Sequence, residues 1–362
     1  MHLFLEAVDV WLFRDGRPFD AGSDHRAASV FPPYPTVMQG AIRSHHLVAN
    51  GDKKINLTSK EAIAEAVGTS EDYRGLNVRG PFLARREDSG RIVRYLPVPA
   101  DAAPVEGVVQ SLEPCAIPDG IVANNATPSL LLTPKRTPSD QDTQMPTKEE
   151  TGNWLTESDL GRCLKGEKVA LVPDRDLFVR ESRLGIGLND STRTTEEGRL
   201  YEVEFIRPQS DIGLSVEVVG YDGWPDRGIM RIGGEGRGAL FTKMDDIGWP
   251  SLPCPLPSRF RVYFATPTYF EEGWRPDDWG RFFEGAVELK AAAVNRYESI
   301  GGYDWAANAH KPARRYVPAG SVYYFESKGQ ARLKPGLPQN AISDFGAEIG
   351  FGQIIVEEWN DG

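Results

Sequence analysis

The side chains that could carry chemistry in this chain are few and widely spaced. Its 362 residues contain five histidines: His2, His25, His45, His46 and His310. His25 follows a glycine-bearing loop within Asp24-His25-Arg26, and His310 directly precedes Lys311. A metal-independent ribonuclease needs a general base or acid beside the 2′-hydroxyl it activates. His25 is therefore the first candidate for that role and His310 the second, although a lone loop histidine is more often an ordinary polar residue. No HxH, HExxH or dense acidic cluster offers metal-ligand spacing. The three cysteines, Cys115, Cys163 and Cys254, form no CxxC pair and are odd in number, which fits a reducing cytoplasm rather than a disulfide or zinc framework. No GxxxxGK[ST] is present, and LGIGLND lacks the strand–GxGxxG–helix setting of a dinucleotide site. No catalytic residue, cofactor or metal is expected from these patterns.

A denser signal comes from glycine beside arginine. MRIGGEGRGALF spans residues 230–241, and DFGAEIGFGQIIVEEW spans 344–359. Glycine turns expose main-chain amides as anion-binding nests and let another molecule approach the backbone. Single-stranded RNA offers one phosphate per nucleotide and a stackable face on each base, so amides, Arg or Lys, and aromatic planes make a matching surface. On that reading Gly234, Gly236 and Arg237 form one contact. Gly350 and Gly352, with Phe345 or Phe351 to stack, form another. Further phosphate contacts are expected from Arg180 and Arg183, and from Lys311, Arg314 and Arg315. Gln39 and Arg43 sit one turn apart on a helix whose N-terminus could receive a phosphate. Arg14 and Arg17 flank an Asp15-Gly16 turn. Each feature also has a plain reading: glycine as punctuation between strands, an amphipathic helix with a solvated polar face, and ordinary exposed charges.

The formal net charge of −11 excludes a surface that binds nucleic acid throughout, so any such site must be confined. The length favours two domains, and 40% hydrophobic with 26% charged residues suits a globular protein. No apolar run reaches the roughly 20 residues of a membrane span. The N-terminal MHLFLEAVDVWLF, with Glu6 and Asp9 inside it, reads as a strand rather than a signal peptide.

These groups must be positioned by an α+β framework. Residues 3–13 read as a strand. Three prolines make HRAASVFPPYP irregular, and Thr36 is a plausible N-cap for a helix over TVMQGAIRSHHLVAN. Residues 77–98 read as a hairpin turning at Asp88-Ser89-Gly90. The region near 99–150 reads as a surface insertion, followed by a short helix in NWLTESDLGRCLKG. Strand signals on either side of NDSTRTTEEG predict a projecting hairpin near 180–205. Four prolines in residues 250–257 place a boundary at 250/251. Beyond it come strands at RFRVYFATPTYF, VELKAAAVNRY and SVYYFE, a short helix near PDDWGRFFEG, and an irregular stretch through SIGGYDWAANAHKPARRYVPAG. Two mixed units, 1–250 and 251–362, each end in a glycine turn and a strand, as in ferredoxin-like folds.

Five segments in order carry a family resemblance: FRDGRPFDAG (13–22), PTVMQGAIR (35–43), GEGR (234–237), KPARRYVPAGSVYYF (311–325) and the closing IGFGQIIVEEW. Together they resemble the RAMP-superfamily proteins of CRISPR effector complexes, specifically the family of the third subunit of the type III-B Cmr complex. The resemblance covers nearly the whole chain, except for roughly 99–175. It implies two ferredoxin-like (RRM-like) RAMP domains packed side by side with insertions. It further implies a non-catalytic subunit, acting in antiviral defence, that holds the 5′ handle of the CRISPR RNA and contacts the large polymerase-like subunit and a backbone subunit. Two alternatives stand beside it: a RAMP-type endoribonuclease processing repeat RNA with His25 as general base, and a protein–protein scaffold in which the glycine turns merely close sheets.

Overall fold

Antiparallel pairing around two central strands organises the chain. The computed structural model describes residues 1–14, 26–49, 55–70, 72–105, 108–117, 130–133, 154–188, 191–192, 194–304 and 308–359. Its main elements are β1 (His2–Ala7), α1 (Pro35–Ala49), α2 (Lys60–Val67), β2 (Asn77–Arg86), α3 (Glu157–Leu164), β3 (Phe178–Leu188), β4 (Thr195–Pro208) and β5 (Ile212–Val219). There follow β6 (Arg227–Arg231), β7 (Gly238–Met244), β8 (Arg259–Phe264), β9 (Phe283–Ala293), β10 (Glu298–Asp304), β11 (Ala309–Tyr316), β12 (Val322–Leu333) and β13 (Ile354–Glu358). Two compact units interleave along the sequence. One comprises Met1–Ile92, Arg175–Ile247 and Ser299–Arg314, the other Val93–Asp174, Gly248–Glu298 and Arg315–Gly362.

In the first unit β1 lies between β5 and β7, and β2 lies outside β5, all antiparallel. With β1, β2, β5 and β7 as strands one to four, the order is 4-1-3-2. β6 adds an edge beyond β7. The register sets Leu5 opposite both Leu214 and Phe241, so these three share one face. That face meets α1, where Phe241 lies edge-on to His45 with ring centroids 5.1 Å apart. The buried positions of α1, Met38, Ala41 and Ile42, recur at helical spacing. The helix starts at Pro35, whose fixed φ and missing N–H suit a first helical position. Thr36, expected as the cap, therefore lies inside the helix.

The second unit repeats the pattern. β8 lies between β12 and β13, and β9 lies outside β12, again antiparallel and again 4-1-3-2. Its core gathers Phe260, Val262, Phe264, Phe283, Tyr323 and Phe325. The helix expected near PDDWGRFFEG is only a 3-10 turn at Trp279–Arg281, capped by Asp278 Oδ1 accepting from the Gly280 amide at 2.7 Å. Phe282 and Phe283 are drawn into the core at once, which leaves too few residues to offset helix nucleation. The stretch read as irregular, 299–320, contains β10 and β11 paired as a ribbon. Gly301, Gly302 and Pro312 break the alternation that would have revealed it.

Val93–Asp174 packs with the second unit through buried polar bonds rather than sequence adjacency. The Asp101 carboxylate is fully buried, accepts a hydrogen bond from the Tyr324 hydroxyl, and lies 3.5 Å from Arg261 Nη1. Arg261 Nη2 also donates to the carbonyl of Leu164, the last residue of α3. The Tyr263 hydroxyl donates to Pro97 O at 2.7 Å. One acid on the inserted segment is thus tied to β8 and β12 together. Much of the expected insertion at 99–150 lies outside the described residues. Among the described residues no helix is long and apolar enough to cross a membrane.

Candidate nucleic-acid interface

β3 and β4 pair in register from Phe178 opposite Pro208 to Ile186 opposite Leu200. Alternation then sorts their side chains. Val179, Glu181 and Arg183 share a face with Arg207, Phe205 and Val203, while Arg180 points to the other face. Arg180 and Arg183, close in sequence, therefore do not act together. Arg180 bonds the buried carboxylate of Glu204 at 2.7 Å and Ser29 O at 2.8 Å.

The Arg183 face carries a compact arginine group. Phe205 is buried with Val10, Leu12, Ala27 and Val203. The guanidinium carbons of Arg183 and Arg237 lie 4.8 and 4.6 Å from its ring centroid, within cation–π range. Glu181 bridges Arg183 and Arg207, accepting from the Nε of each at 2.7 Å. Hydrogen bonds from Arg207 and then Arg183 hold the Glu181 carboxyl below the usual carboxylate range. Arg237 donates to Glu235 at 3.1 Å. Asp9 faces all three arginines, so three cations and three carboxylates balance at this surface.

Arg237 arrives there through the first glycine turn, which joins β6 to β7. Glu235 and Gly236 have φ of 54° and 63°, and the Arg237 amide bonds Gly234 O at 3.2 Å, a type I′ hairpin turn. Gly233 is required by a neighbour: a Cβ there would lie 2.3 Å from Leu12 O at a φ of 76°. The Gly234 amide donates to the same carbonyl at 2.8 Å, so Gly234 serves that packing rather than an incoming ligand. The amides of Glu235 and Gly236 make no backbone hydrogen bond among the described residues, and the space around Gly236 is open.

The second glycine turn is more enclosed than the first. Gly350, Phe351 and Gly352 are buried. The Gly350 amide donates to Ala347 O at 3.3 Å and that of Gly352 to Pro267 O at 2.9 Å, while Gly350 O accepts from Thr266 Oγ1 at 2.8 Å. A Cβ on Gly352 would lie 2.3 Å from Ile342 O. Phe351 packs on Tyr316 with ring centroids 4.7 Å apart, and half-buried Phe345 stands edge-on to Tyr269. Both turns lead into the fourth strand of their sheet, yet at this one the Gly350, Phe351 and Gly352 amides are bonded internally and the Phe351 ring is buried.

Gln39 and Arg43 do come together, but inward. Arg43 donates to Gln39 Oε1 at 3.2 Å and to Gly68 O at 2.7 Å, tying α1 to the end of α2. Arg14 is exposed and bridges to Ser29; Arg17 and His25 lie outside the described residues. On β11, Lys311 and Arg314 are half-buried, and Arg315 is exposed with its guanidinium 4.9 Å from the Tyr297 ring. His310 is exposed and edge-on to Tyr303. His45 packs edge-on to Trp224 at 4.4 Å and His46 stacks on Tyr221 at 4.1 Å; burial lowers the pKa of both. No group of three metal-ligating side chains occurs among the described residues. Sequence reasoning missed Asp9, Glu181, Phe205 and Arg207. Period-2 alternation marked the inner face of β4, but only the hairpin register sets it against Arg183.

Two antiparallel 4-1-3-2 sheets, each with a glycine turn ahead of strand four, define a RAMP-type α+β protein. A family model for CRISPR-associated protein (Cas_Cmr3) matches residues 3–359, and the chain belongs to that family. Among solved structures it is similar to a chain of the type III-B Cmr-beta complex bound to cognate target RNA. That match has 15% identity and a TM-score of 0.44, and covers 90% of this chain and 86% of the other. The same complex with target RNA and AMPPnP gives 14% identity and a TM-score of 0.46 over the same shares. A chain of the Csm3-Csm4 subcomplex of the type III-A interference complex gives 11% identity and a TM-score of 0.34, covering 92% of this chain and 98% of the other. No curated protein matches.

Proposed function

We propose that the protein is a non-catalytic subunit of a type III-B CRISPR effector, holding the 5′ handle of the guide RNA and bridging the large polymerase-like subunit to the backbone. The observation that carries this reading is the convergence of Arg183, Arg207 and Arg237 around Phe205, beside the turn whose Glu235 and Gly236 amides make no backbone hydrogen bond among the described residues. Such a group suits a phosphate backbone and is small enough to coexist with a net charge of −11. Arg14, Arg17, His25, Lys311, Arg314 and Arg315 are further proposed contacts. Gly234, Gly350, Gly352, Gln39, Arg43 and Arg180 make internal hydrogen bonds and rank behind these as proposed contacts. Full-length protein is expected to bind single-stranded RNA carrying the repeat-derived handle more tightly than the same RNA without it. It should leave repeat RNA intact with and without divalent metal. Equal affinity for both RNAs removes the handle reading, and cleavage lost in His25→Ala establishes the endoribonuclease instead.

The hairpin of β3 and β4 supports a role in assembly. Leu184, Ile186 and Leu200 lie toward the tip on the hairpin face that carries Arg180, and are 73%, 53% and 54% exposed. Aliphatic side chains left in water on one sheet face suit insertion between bases or against a neighbouring subunit. Deleting residues 189–198 is expected to keep the fold, checked by circular dichroism, while weakening co-purification with the adjacent backbone subunit. Undiminished assembly would count against this role.

A further inference from the structure

Asp9 sits at the focus of the arginine group. Its carboxylate oxygens lie 3.0 Å from Arg207 Nη1, 3.7 Å from Arg183 Nη2 and 4.0 Å from Arg237 Nη1. The other two acids are held differently. Glu181 belongs to β3 and makes two 2.7 Å bonds, and Glu235 belongs to the turn that carries Arg237. Asp9 lies outside any strand, on the bend after β1, and its side chain is half exposed. Two of its three contacts are longer than a hydrogen bond. Arg237 Nε, meanwhile, is buried with no hydrogen-bond partner among the described residues. A buried donor without an acceptor is unfavourable, so the group is incomplete as it stands.

A carboxylate and a phosphodiester offer an arginine the same thing: two oxygens sharing one negative charge. We propose that Asp9 is a built-in substitute for an RNA backbone phosphate. Arg183, Arg207 and Arg237 form a phosphate cradle that Asp9 occupies in the RNA-free protein and yields when RNA arrives. This rests on the RNA-holding reading above and adds the position of one phosphate and a competitor for it. Displacement is cheap, because exposed ion pairs contribute little in water. The incoming phosphate adds oxygens that can reach the Arg237 Nε and the amides of Glu235 and Gly236, which Asp9 does not satisfy. Asp9 also keeps three arginines ordered and neutral until then, so a stray small anion gains little there, whereas a strand with further contacts wins.

The test compares wild type, Asp9→Asn, Arg237→Ala and the double variant for binding a single-stranded RNA that carries the handle, at fixed salt. Asp9→Asn is expected to bind about fivefold more tightly, the size of one exposed ion pair removed from competition. The gain should vanish in the Arg237→Ala background, since there the cradle itself is damaged. Asp9→Ser repeats the measurement with a shorter side chain, in case asparagine bonds the guanidinium groups itself. If Arg237→Ala weakens binding but neither Asp9 variant strengthens it, Asp9 is not a competitor and the inference falls while the RNA reading stands. A gain that persists without Arg237 marks a general field effect and overturns the inference too. If no variant changes binding, this face is not the RNA site, and the inference falls together with the assignment of the arginine group as the RNA contact.

Discussion

Replacing Arg261 by methionine is expected to destabilise the protein by about 3–5 kcal/mol at neutral pH, because it strands a buried carboxylate. Asp101 is fully buried, and Arg261 Nη1 lies 3.5 Å away. Burial raises the pKa of Asp101 above its ordinary value, opposed by the Tyr324 hydrogen bond and then by the Arg261 charge. A carboxyl raised in the folded state contributes stability that is fully present below its unfolded pKa and is lost as pH rises through the folded one. Removing Arg261 raises the folded value further, so the loss of stability should be large at pH 8 and smaller at pH 5. Urea unfolding at both pH values measures this. An equal loss at both would show that removing Arg261 does not change the protonation of Asp101 over this range. The double variant Asp101→Leu/Arg261→Met should recover much of the loss, since a buried pair replaced by apolar groups of similar volume is often neutral. A double variant as unstable as the single one would show that the hydrogen bonds to Leu164 O and Tyr324, rather than the charge pair, hold α3 and the Asp101 segment to β8 and β12.

The triple variant Arg183→Ala/Arg207→Ala/Arg237→Ala is expected to lower affinity for handle-bearing RNA by about a hundredfold or more, at roughly 1 kcal/mol or more per charge-assisted contact. Its binding should also depend less on salt. Each phosphate neutralised on a single strand adds about 0.7 to the slope of log affinity against log salt, so losing the one phosphate that the cradle holds should remove about 0.7 of a unit. The two readouts separate causes: a variant that binds weakly through misfolding loses affinity without that change of slope. An unchanged slope with unchanged affinity places the RNA elsewhere. Lys311, Arg314 and Arg315 on β11 would then be the next group to remove.

Much of the framework was legible locally. Residues 259–264 and the SVYYFE run announce strands through β-branched and aromatic residues, while the strand read over 3–13 ends at Ala7 and gives way to a bend at Val8-Asp9. The Asp88-Ser89-Gly90 turn and the helix after Thr156 announce themselves through turn and capping chemistry, with Thr156 Oγ1 accepting from the Asp159 amide at 3.1 Å. Capping, turn formation and alternation depend on residues within a few positions, so a sequence contains them outright. Even the repeated glycine turn ahead of a last strand could be read, as could its place in two similar sheets.

What the sequence could not determine was which way each turn faces and which strands meet. GGEGRG and GAEIGFG read alike, yet one is an open hairpin and the other lies under Thr266, Pro267 and Ile342. Arg207 reaches Glu181 and Arg183 only because β3 and β4 pair Val179 with Arg207; a slip of one residue would turn every side chain of one strand over. Asp9, almost two hundred residues earlier in the chain, joins them from the end of β1. Val93–Asp174 belongs with the second unit because Asp101 is buried against Tyr324 and Arg261. Composition, strand content and the family motifs are properties of short segments and were determined by the sequence itself. The arginine group and the buried acid were decided by register and burial, because these are set by the whole chain at once.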